Sequence, residues 1–217
     1  MNRELLKRVL SSIILIPVSL FFIIKGSFLF NFFLLICLLI TLYEWNKMSK
    51  KKPYNIFGIF FILISFYSIY SIRNDFSGDF IYLLFIAVIC VSTDIGGYVF
   101  GNIFKGPKLT KISPKKTYSG MIGGYLLSII VVNFFLSNQY ANKTIELTID
   151  IFIFVIIISS MSQFGDIVIS YFKRLSKIKN TGKIIPGHGG LLDRVDGMIF
   201  AFPFSYFLHH LNIFKFF

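Results

Sequence analysis

The stretch FIYLLFIAVICVSTDIGGYVFGNI, residues 80–103, establishes the fold class of this protein. A helix must present about 20 consecutive apolar residues to cross the hydrocarbon core of a bilayer. This stretch is long enough to do so, and Asp94 is its only charged residue. It therefore predicts a transmembrane helix that carries a single carboxylate.

Further apolar stretches indicate that the chain crosses the membrane several times. Including the first, the predicted spans lie at about residues 9–24, 28–44, 55–72, 80–103, 118–137, 149–172 and 191–214. The composition agrees with this interpretation: 55% of the residues are hydrophobic, 15% are charged, and the mean hydropathy is +0.75. About a quarter of a typical soluble domain is charged. We predict an all-α, polytopic transmembrane helix bundle of about seven spans.

The basic residues predict the orientation of this bundle. With the N-terminus in the cytoplasm, all but four of the 22 Lys and Arg residues fall on the cytoplasmic side, as the positive-inside rule expects. The cytoplasmic segments then hold Arg3, Lys7, Arg8, Lys47, Lys50, Lys51, Lys52, Lys105, Lys108, Lys111, Lys115, Lys116, Lys173, Arg174, Lys177, Lys179, Lys183 and Arg194. The opposite side holds Lys25, Arg73, Lys143 and Lys215.

The net charge of +12 is explained by the membrane rather than by nucleic acid. A surplus of this size can indicate a nucleic-acid-binding protein. Here most basic residues flank apolar stretches, so we expect no nucleic-acid partner and instead an attraction to anionic lipid or nucleotide phosphates. Cys37 and Cys90 both lie inside apolar stretches without metal-ligand spacing, so we expect no disulfide framework.

Two connecting segments differ from ordinary membrane loops. Residues 101–120 read GNIFKGPKLTKISPKKTYSG, and residues 173–197 read KRLSKIKNTGKIIPGHGGLLDRVDG. Both combine lysines with glycines, and such loops can hold phosphates through backbone amides and lysine charge. The alternative is that both are solvated loops whose charge only orients the chain.

Four acidic residues favour the first interpretation. Asp94 and Asp166 lie inside predicted spans, where each costs at least about 2.5 kcal/mol near the bilayer centre. Asp193 and Asp196 are three residues apart, which places them on one face of a helix. Magnesium is usually bound by one or two carboxylates together with substrate phosphates, so we predict a metal–nucleotide site. The alternatives are that Asp193 caps a helix, that Arg194 pairs with an acid, and that Asp94 bonds to a neighbouring helix.

The C-terminal stretch resembles the signature of the phosphatidate cytidylyltransferase family, S-x-x-K-R-x4-K-D-x5-P-G-H-G-G-x-x-D-R-x-D. The matching positions are Ser170, Lys173, Arg174, Lys179, Pro186, Gly187, His188, Gly189, Gly190, Asp193, Arg194 and Asp196. Asn180 stands where the family usually has Asp.

Other segments extend the resemblance to about residues 90–200. ISPKKTYSG at residues 112–120 is similar to the family's SPKKT-W-E-G, with Tyr118 for Trp and Ser119 for the acid. Further upstream and downstream, the residues that fit the family pattern are Asp94, Gly97, Tyr98, Gly101, Gly165 and Asp166.

The resemblance implies an integral membrane enzyme of phospholipid biosynthesis. An oxygen of phosphatidic acid would attack the α-phosphate of CTP, pyrophosphate would leave, and CDP-diacylglycerol would form. The implied cofactor is Mg²⁺, with a monovalent cation such as K⁺ sharing the site. The resemblance also implies a homodimer and a bacterial inner membrane location, and the distribution of basic residues given above predicts that the active site faces the cytoplasm.

The resemblance also implies roles for individual residues. Asp166 and Asp193 would ligate the metal, and Asp196 would orient it or ligate a second ion. Lys173 and Arg174 complete the expected catalytic set, as groups that hold triphosphate or lipid phosphate. The expected substrate-binding residues are Ser113, Lys115, Lys116, Thr117, Gly187, His188, Gly189, Gly190 and Arg194.

The same resemblance suggests how function is divided along the chain. Residues 1–80 are expected to be N-terminal spans, and residues 81–217 a catalytic part with the cytoplasmic loops 101–120 and 173–197. Three other interpretations remain open: a CTP-dependent polyprenol or phytol kinase, a transporter with Asp94 and Asp166 as ion sites, and a catalytically inactive relative, as Asn180 would suggest.

Overall fold

The fold of the described part of the chain is entirely helical. The computed structural model describes residues 3–74, 80–110, 112–113, 115–139, 148–187 and 189–214. Of residues 3–10 and 12 it describes the backbone only. Within these residues there are isolated β-bridges but no strands, which confirms the predicted all-α class. The helices are α1 (Arg3–Lys25), α2 (Ser27–Ser49), α3 (Asn55–Asn74), α4 (Ile81–Phe104), α5 (Tyr118–Gln139), α6 (Ile149–Leu175), α7 (Leu192–Val195) and α8 (Met198–His210). Lys111, Lys143, His188 and Lys215, which entered the predictions above, lie outside the described residues.

The helices α2 to α6 are each long and apolar enough to cross a membrane. They coincide with the predicted spans 28–44, 55–72, 80–103, 118–137 and 149–172, and they make this a multi-pass membrane protein. Helix α1 adds a shorter apolar segment, Ile13–Lys25. The count of about seven spans and the cytoplasmic N-terminus stay predictions.

The segment predicted as a span over residues 191–214 is divided in the structure, and its crossing of the membrane stays a prediction. The segment forms the short helix α7 and then α8, with a turn at Asp196 and Gly197 between them. With 13 residues, α8 is about 20 Å long, whereas the hydrocarbon core is about 30 Å thick. Hydropathy is averaged along the chain, and it does not reveal that polar contacts hold the start of this segment. The loop predicted at residues 173–197 also begins later, because α6 continues to Leu175.

The first of two compact units contains α1, α2, α3, the end of α6, and α7. It comprises Met1–Phe80 and Phe172–Asp196. The indole of Trp45 in α2 donates to the Asn55 carbonyl at 3.0 Å and meets the ring of Phe172 edge-on, with centroids 5.3 Å apart. Arg73 Nε at the end of α3 donates to the Ile23 carbonyl of α1 at 3.0 Å. These polar contacts fix the ends of largely apolar helices within the unit.

The second compact unit contains α4, α5, most of α6, and α8. It comprises Ile81–Tyr171 and Gly197–Phe217. Its helices α4 and α5 approach closely because glycines line their crossing: a Cβ at Gly96 would overlap the Gly123 carbonyl, and one at Gly120 would lie 2.6 Å from the Gly97 carbonyl oxygen. Compactness groups residues by packing, so the predicted division of function into residues 1–80 and 81–217 stays a prediction.

Candidate active site

The segment between α6 and α7 contains a tight turn closed by Ile185 and Gly189. Ile185 and Gly189 exchange both backbone hydrogen bonds, at 2.9 and 3.1 Å. The turn between them needs a left-handed backbone, with φ of +76° at Gly187 and +95° at Gly189, which glycine adopts without steric cost. The glycines of the predicted phosphate loop therefore build a tight turn immediately before Asp193.

The carboxylate of Asp193 is held by three donors within the first unit. Its Oδ2 accepts the backbone N–H groups of Thr181 at 2.9 Å and Gly190 at 3.0 Å. Its Oδ1 accepts from Lys173 Nζ at 3.0 Å. The side chain is only 5% exposed. Charge-assisted hydrogen bonds of this kind are about twice as strong as neutral ones, so the position of Asp193 is well defined.

Lys173 lies between two carboxylates. It is in the last turn of α6, and its ammonium is 3.0 Å from Asp193 Oδ1 and 3.6 Å from Asp196 Oδ2. The predicted pairing of Asp193 and Asp196 on one side of the chain is thus present in the structure, with a cation where their oxygens converge. This Lys173–Asp193–Asp196 cluster contains one more carboxylate than ammonium, so it favours the approach of further positive charge.

Glu44 belongs to the same part of the first unit, and the sequence analysis missed it. It lies in α2 and is 1% exposed. Its carboxylate accepts from the Thr181 hydroxyl at 2.9 Å, the Leu191 N–H at 3.0 Å and the Leu192 N–H at 2.9 Å. The available signal was an acid at the end of an otherwise apolar span, since such residues are costly unless they have partners.

In the second unit, Asp166 forms an ion pair with Lys116. The Asp166 Oδ2 contacts the Lys116 ammonium, and Ser170 Oγ donates to Asp166 Oδ1 at 3.2 Å. Lys116 Nζ also donates to the Gln163 carbonyl at 3.4 Å. The two charged side chains are 22% and 28% exposed, so this pair is considerably more accessible than the first cluster.

The loop that carries Lys116 is ordered by its own backbone. Leu109 N–H donates to the Lys116 carbonyl at 2.8 Å, and Lys116 N–H donates to the Ser113 carbonyl at 3.0 Å. Thr117 Oγ accepts from the Gly120 N–H at 3.1 Å, which caps the start of α5. Ser113 and Thr117 thus shape this loop in the structure, while Lys115 is exposed on it. Their predicted contacts with substrate stay predictions.

The other predicted site residues are exposed or make local contacts. Arg174 is exposed and donates to the Ile178 carbonyl at 3.2 Å, just beyond the end of α6. Arg194 is exposed on α7, and Asp94 is exposed on α4 in the second unit. The amides of Gly189 and Gly190 donate within the loop, to the Ile185 carbonyl and Asp193. The predicted role of His188 concerns a residue outside the described part of the chain.

The donors present suit a metal that arrives with phosphate. Among the described residues, no group of three or more His, Cys, Asp or Glu side chains could hold an ion by itself. Oxygens of Asp193 and Asp196 do converge on one cation, the Lys173 ammonium, and an Asp166 oxygen faces Lys116. Magnesium prefers oxygen ligands and is usually held by one or two carboxylates plus substrate phosphates, so these residues fit it.

Comparison with known sequences identifies the class of protein. The profile of the cytidylyltransferase family matches residues 6–76 and 53–212, and the chain belongs to this family. The prediction made from the C-terminal signature is thereby confirmed.

Particular relatives carry a more specific name. A phosphatidate cytidylyltransferase of Rickettsia felis is 35% identical over 210 residues, which cover 93% of this chain and 90% of the relative. One of Rickettsia bellii is 33% identical over 215 residues, covering 95% and 91%. One of Staphylococcus haemolyticus is 35% identical over 176 residues, covering 78% and 65%.

Proposed function

We propose that this protein transfers a cytidylyl group from CTP to phosphatidic acid. An oxygen of the lipid phosphate forms a bond to the α-phosphorus of CTP, the bond from that phosphorus to the bridging oxygen breaks, and pyrophosphate leaves with the electron pair. The product is CDP-diacylglycerol. The observation that carries the proposal is the anchored Lys173–Asp193–Asp196 cluster, built from residues of the signature that the chain shares with the family.

The charged residues have complementary tasks in this reaction. The departing pyrophosphate carries several negative charges, and the barrier falls when fixed positive charge lies beside it. Lys115, Lys116 and Arg174 are the proposed phosphate-holding groups, since Lys115 and Arg174 are exposed and Lys116 is partly exposed. The lipid phosphate is already ionised near neutral pH, so the nucleophile requires no general base.

Magnesium is the proposed cofactor. The proposed ligands are Asp193 with Asp196 in the first unit and, separately, Asp166 in the second. We also propose K⁺ as an additional monovalent cation. When bound, the metal supplies charge that neutralises the phosphates during transfer. Lys173 holds Asp193 and Asp196 together, which keeps the carboxylates positioned.

The remaining parts of the proposal concern the cellular setting. We place the protein in a bacterial inner membrane with the charged loops in the cytoplasm, where CTP is available. The distribution of Lys and Arg supports this orientation. We also propose a homodimer, which crosslinking in the membrane followed by denaturing electrophoresis would test.

Two labelled forms of CTP distinguish this reaction from its rival. Membranes containing the protein would be incubated with phosphatidic acid, Mg²⁺ and CTP labelled at the α-phosphate or the γ-phosphate. Cytidylyl transfer places only the α-label in the lipid fraction and releases pyrophosphate. A lipid kinase would place only the γ-label in lipid and release CDP. If neither label enters the lipid while a relative processed in parallel incorporates the α-label, the proposed activity is wrong for this chain.

A further inference from the structure

We propose that Glu44 is a positioning residue for the transfer reaction, because its buried carboxylate fixes the loop that presents Asp193. This inference rests on the proposed function, and it concerns a residue outside the family signature. Glu44 is 1% exposed in the C-terminal part of α2. A carboxylate in such surroundings is very costly unless its oxygens are hydrogen-bonded.

The loop donates hydrogen bonds to both of those oxygens, and these bonds define the shape of the loop. The N–H groups of Leu191 and Leu192 and the hydroxyl of Thr181 all donate to Glu44. These groups are separated from Glu44 by 137 to 148 residues along the chain. One carboxylate thus joins both ends of the Thr181–Leu192 segment to α2.

The same segment joins Glu44 to Asp193. Thr181 donates its hydroxyl to Glu44 and its backbone N–H to Asp193. The amide of Gly190 donates to Asp193, and the next two amides donate to Glu44. Because the two carboxylates divide the donors of one short segment between them, a shift at Glu44 is transmitted to Asp193.

The Glu44 carboxylate also explains why residues 182 and 190 are glycine. A Cβ at Gly190 would overlap Glu44 Oε2, and a Cβ at Gly182 would overlap Glu44 Oε1. The backbone therefore packs directly against the carboxylate. At Gly190 the missing side chain makes room for Glu44, which is a reason for glycine independent of any phosphate.

Glu44 acts through this loop and does not touch substrate. Its side chain is buried, and its two oxygens accept from three donors of the protein itself. Asp193 also accepts from three protein donors, but one of them is the Lys173 ammonium, which it shares with Asp196. Glu44 is accordingly a positioning residue. Its substitution should change the loop directly and the reaction only through the loop.

The first arm of the test measures the loop without measuring activity. Lys179 and Lys183 are exposed in this loop, and trypsin cleaves after lysine. In detergent-solubilised protein, Glu44→Gln should raise the rate of cleavage after these two residues by about tenfold, since an amide cannot accept from all three donors. Ser49→Ala is the matched control, because Ser49 is buried in the same helix and its hydroxyl donates to the Trp45 carbonyl of that helix. Its cleavage rate should equal that of the wild type.

The second arm measures kcat and KM on the folded, monodisperse fraction. Glu44→Gln should lower kcat per folded molecule by roughly 100-fold, because a small displacement of a reacting group is costly. The change in KM should be smaller, and Glu44→Asp, which keeps the charge, should recover part of the loss. A purely structural residue would reduce the yield of folded protein and leave kcat per folded molecule unchanged.

A second variant covers the case in which Glu44→Gln fails to fold. Thr181→Val removes the hydroxyl bond to Glu44 and keeps the amide bond to Asp193, so it should raise cleavage and lower kcat to a lesser degree, while Thr181→Ser should match the wild type. The inference is overturned if cleavage stays at the wild-type rate, if cleavage rises with kcat unchanged, or if Ser49→Ala reproduces both effects. If the proposed function is wrong, the wild type will transfer no label to lipid. The protease arm would still test the contact between Glu44 and the loop in that case.

Discussion

Two lysine–aspartate pairs of this protein use the same residue types in different surroundings. In the first unit, the Asp193 and Lys173 side chains are 5% and 10% exposed, and two backbone amides also bind the carboxylate. In the second unit, Asp166 and Lys116 are 28% and 22% exposed, and Asp166 receives its further hydrogen bond from the Ser170 side chain. The first pair is therefore rigid and costly to break, and the second is more adaptable and more open to solvent.

The difference in exposure between the two pairs should affect the stability of the protein and not its activity. A buried ion pair loses much when one partner is removed, because the other charge stays buried without compensation. A partly exposed pair loses little, because water solvates the remaining charge. Substitutions at the two aspartates should consequently have similar effects on a metal-dependent reaction and unequal effects on folding.

Asp193→Asn should have the largest effect. It should reduce cytidylyl transfer by roughly 10²- to 10³-fold, as loss of one precisely placed electrostatic group does. It should also destabilise the protein by about 3 kcal/mol, because Asn offers one acceptor oxygen where the carboxylate offers two, so that either the Lys173 ammonium or the two loop amides lose their acceptor. Initial rates and thermal unfolding in detergent would measure both effects. Asp150→Asn, an exposed acid in the first turn of α6, is the control and should change neither.

Asp166→Asn should lower activity by a similar order but should cost at most about 1 kcal/mol of stability. The reason is the greater exposure of the Lys116–Asp166 pair. The melting temperature compared with that of Asp193→Asn is the measurement. Equal losses of stability in the two variants would contradict the contrast between the buried and the open pair.

Magnesium should stabilise the protein more in the presence of CTP than alone. No group of three or more His, Cys, Asp or Glu side chains that could hold an ion lies together in the described part of the chain, and Mg²⁺ is usually bound by one or two carboxylates plus substrate phosphates, so we expect the nucleotide to contribute ligands. At saturating ligand we expect a gain on the order of 2–3 kcal/mol, seen as a rise of several degrees in Tm. Repeating the titration with each aspartate variant would show which pair contributes. An equally large rise with Mg²⁺ alone would indicate a preformed site that the described residues do not contain.

Asn180→Asp should have the smallest effect. Asn180 is exposed, and its Cγ lies 3.4 Å from the place a Cβ at Gly189 would occupy, beside the turn that leads to Asp193. Surface substitutions usually change free energies by about 0.5 kcal/mol or less, so the rate should change by roughly twofold at most. The added negative charge should slightly lower the Mg²⁺ concentration needed for half-maximal activity. A rise from no activity to full activity would instead show that the natural Asn180 makes this chain an inactive relative.

Local features of the sequence were sufficient to place most helices. Predicted spans such as 80–103 and 118–137 agree with α4 and α5 within a few residues, because apolar length is a property of contiguous residues. The C-terminal signature likewise predicted the family, which the family profile confirms. The division of the segment 191–214 could not be predicted in this way: its first residues are held by Glu44 and Lys173, which are distant in sequence.

The candidate site was predictable as a set of residues and unpredictable as an arrangement. The spacing of Asp193 and Asp196 suggested a common face, and the structure places Lys173 near both. Nothing in the spacing indicated that Lys173 would be buried there. Nor did it indicate that the Gly189 and Gly190 amides would donate within the loop.

The sequence by itself determined that this protein is an all-helical membrane protein of the cytidylyltransferase family with basic residues clustered in two loops. Hydropathy, charge distribution and a contiguous signature are all local, so they can be read without a fold. Only the tertiary structure showed that Glu44 binds a loop 137 to 148 residues away, and that one Lys–Asp pair is buried while the other is open. These facts depend on which distant segments meet, because burial and hydrogen-bond partners arise from packing in three dimensions and not from neighbours along the chain.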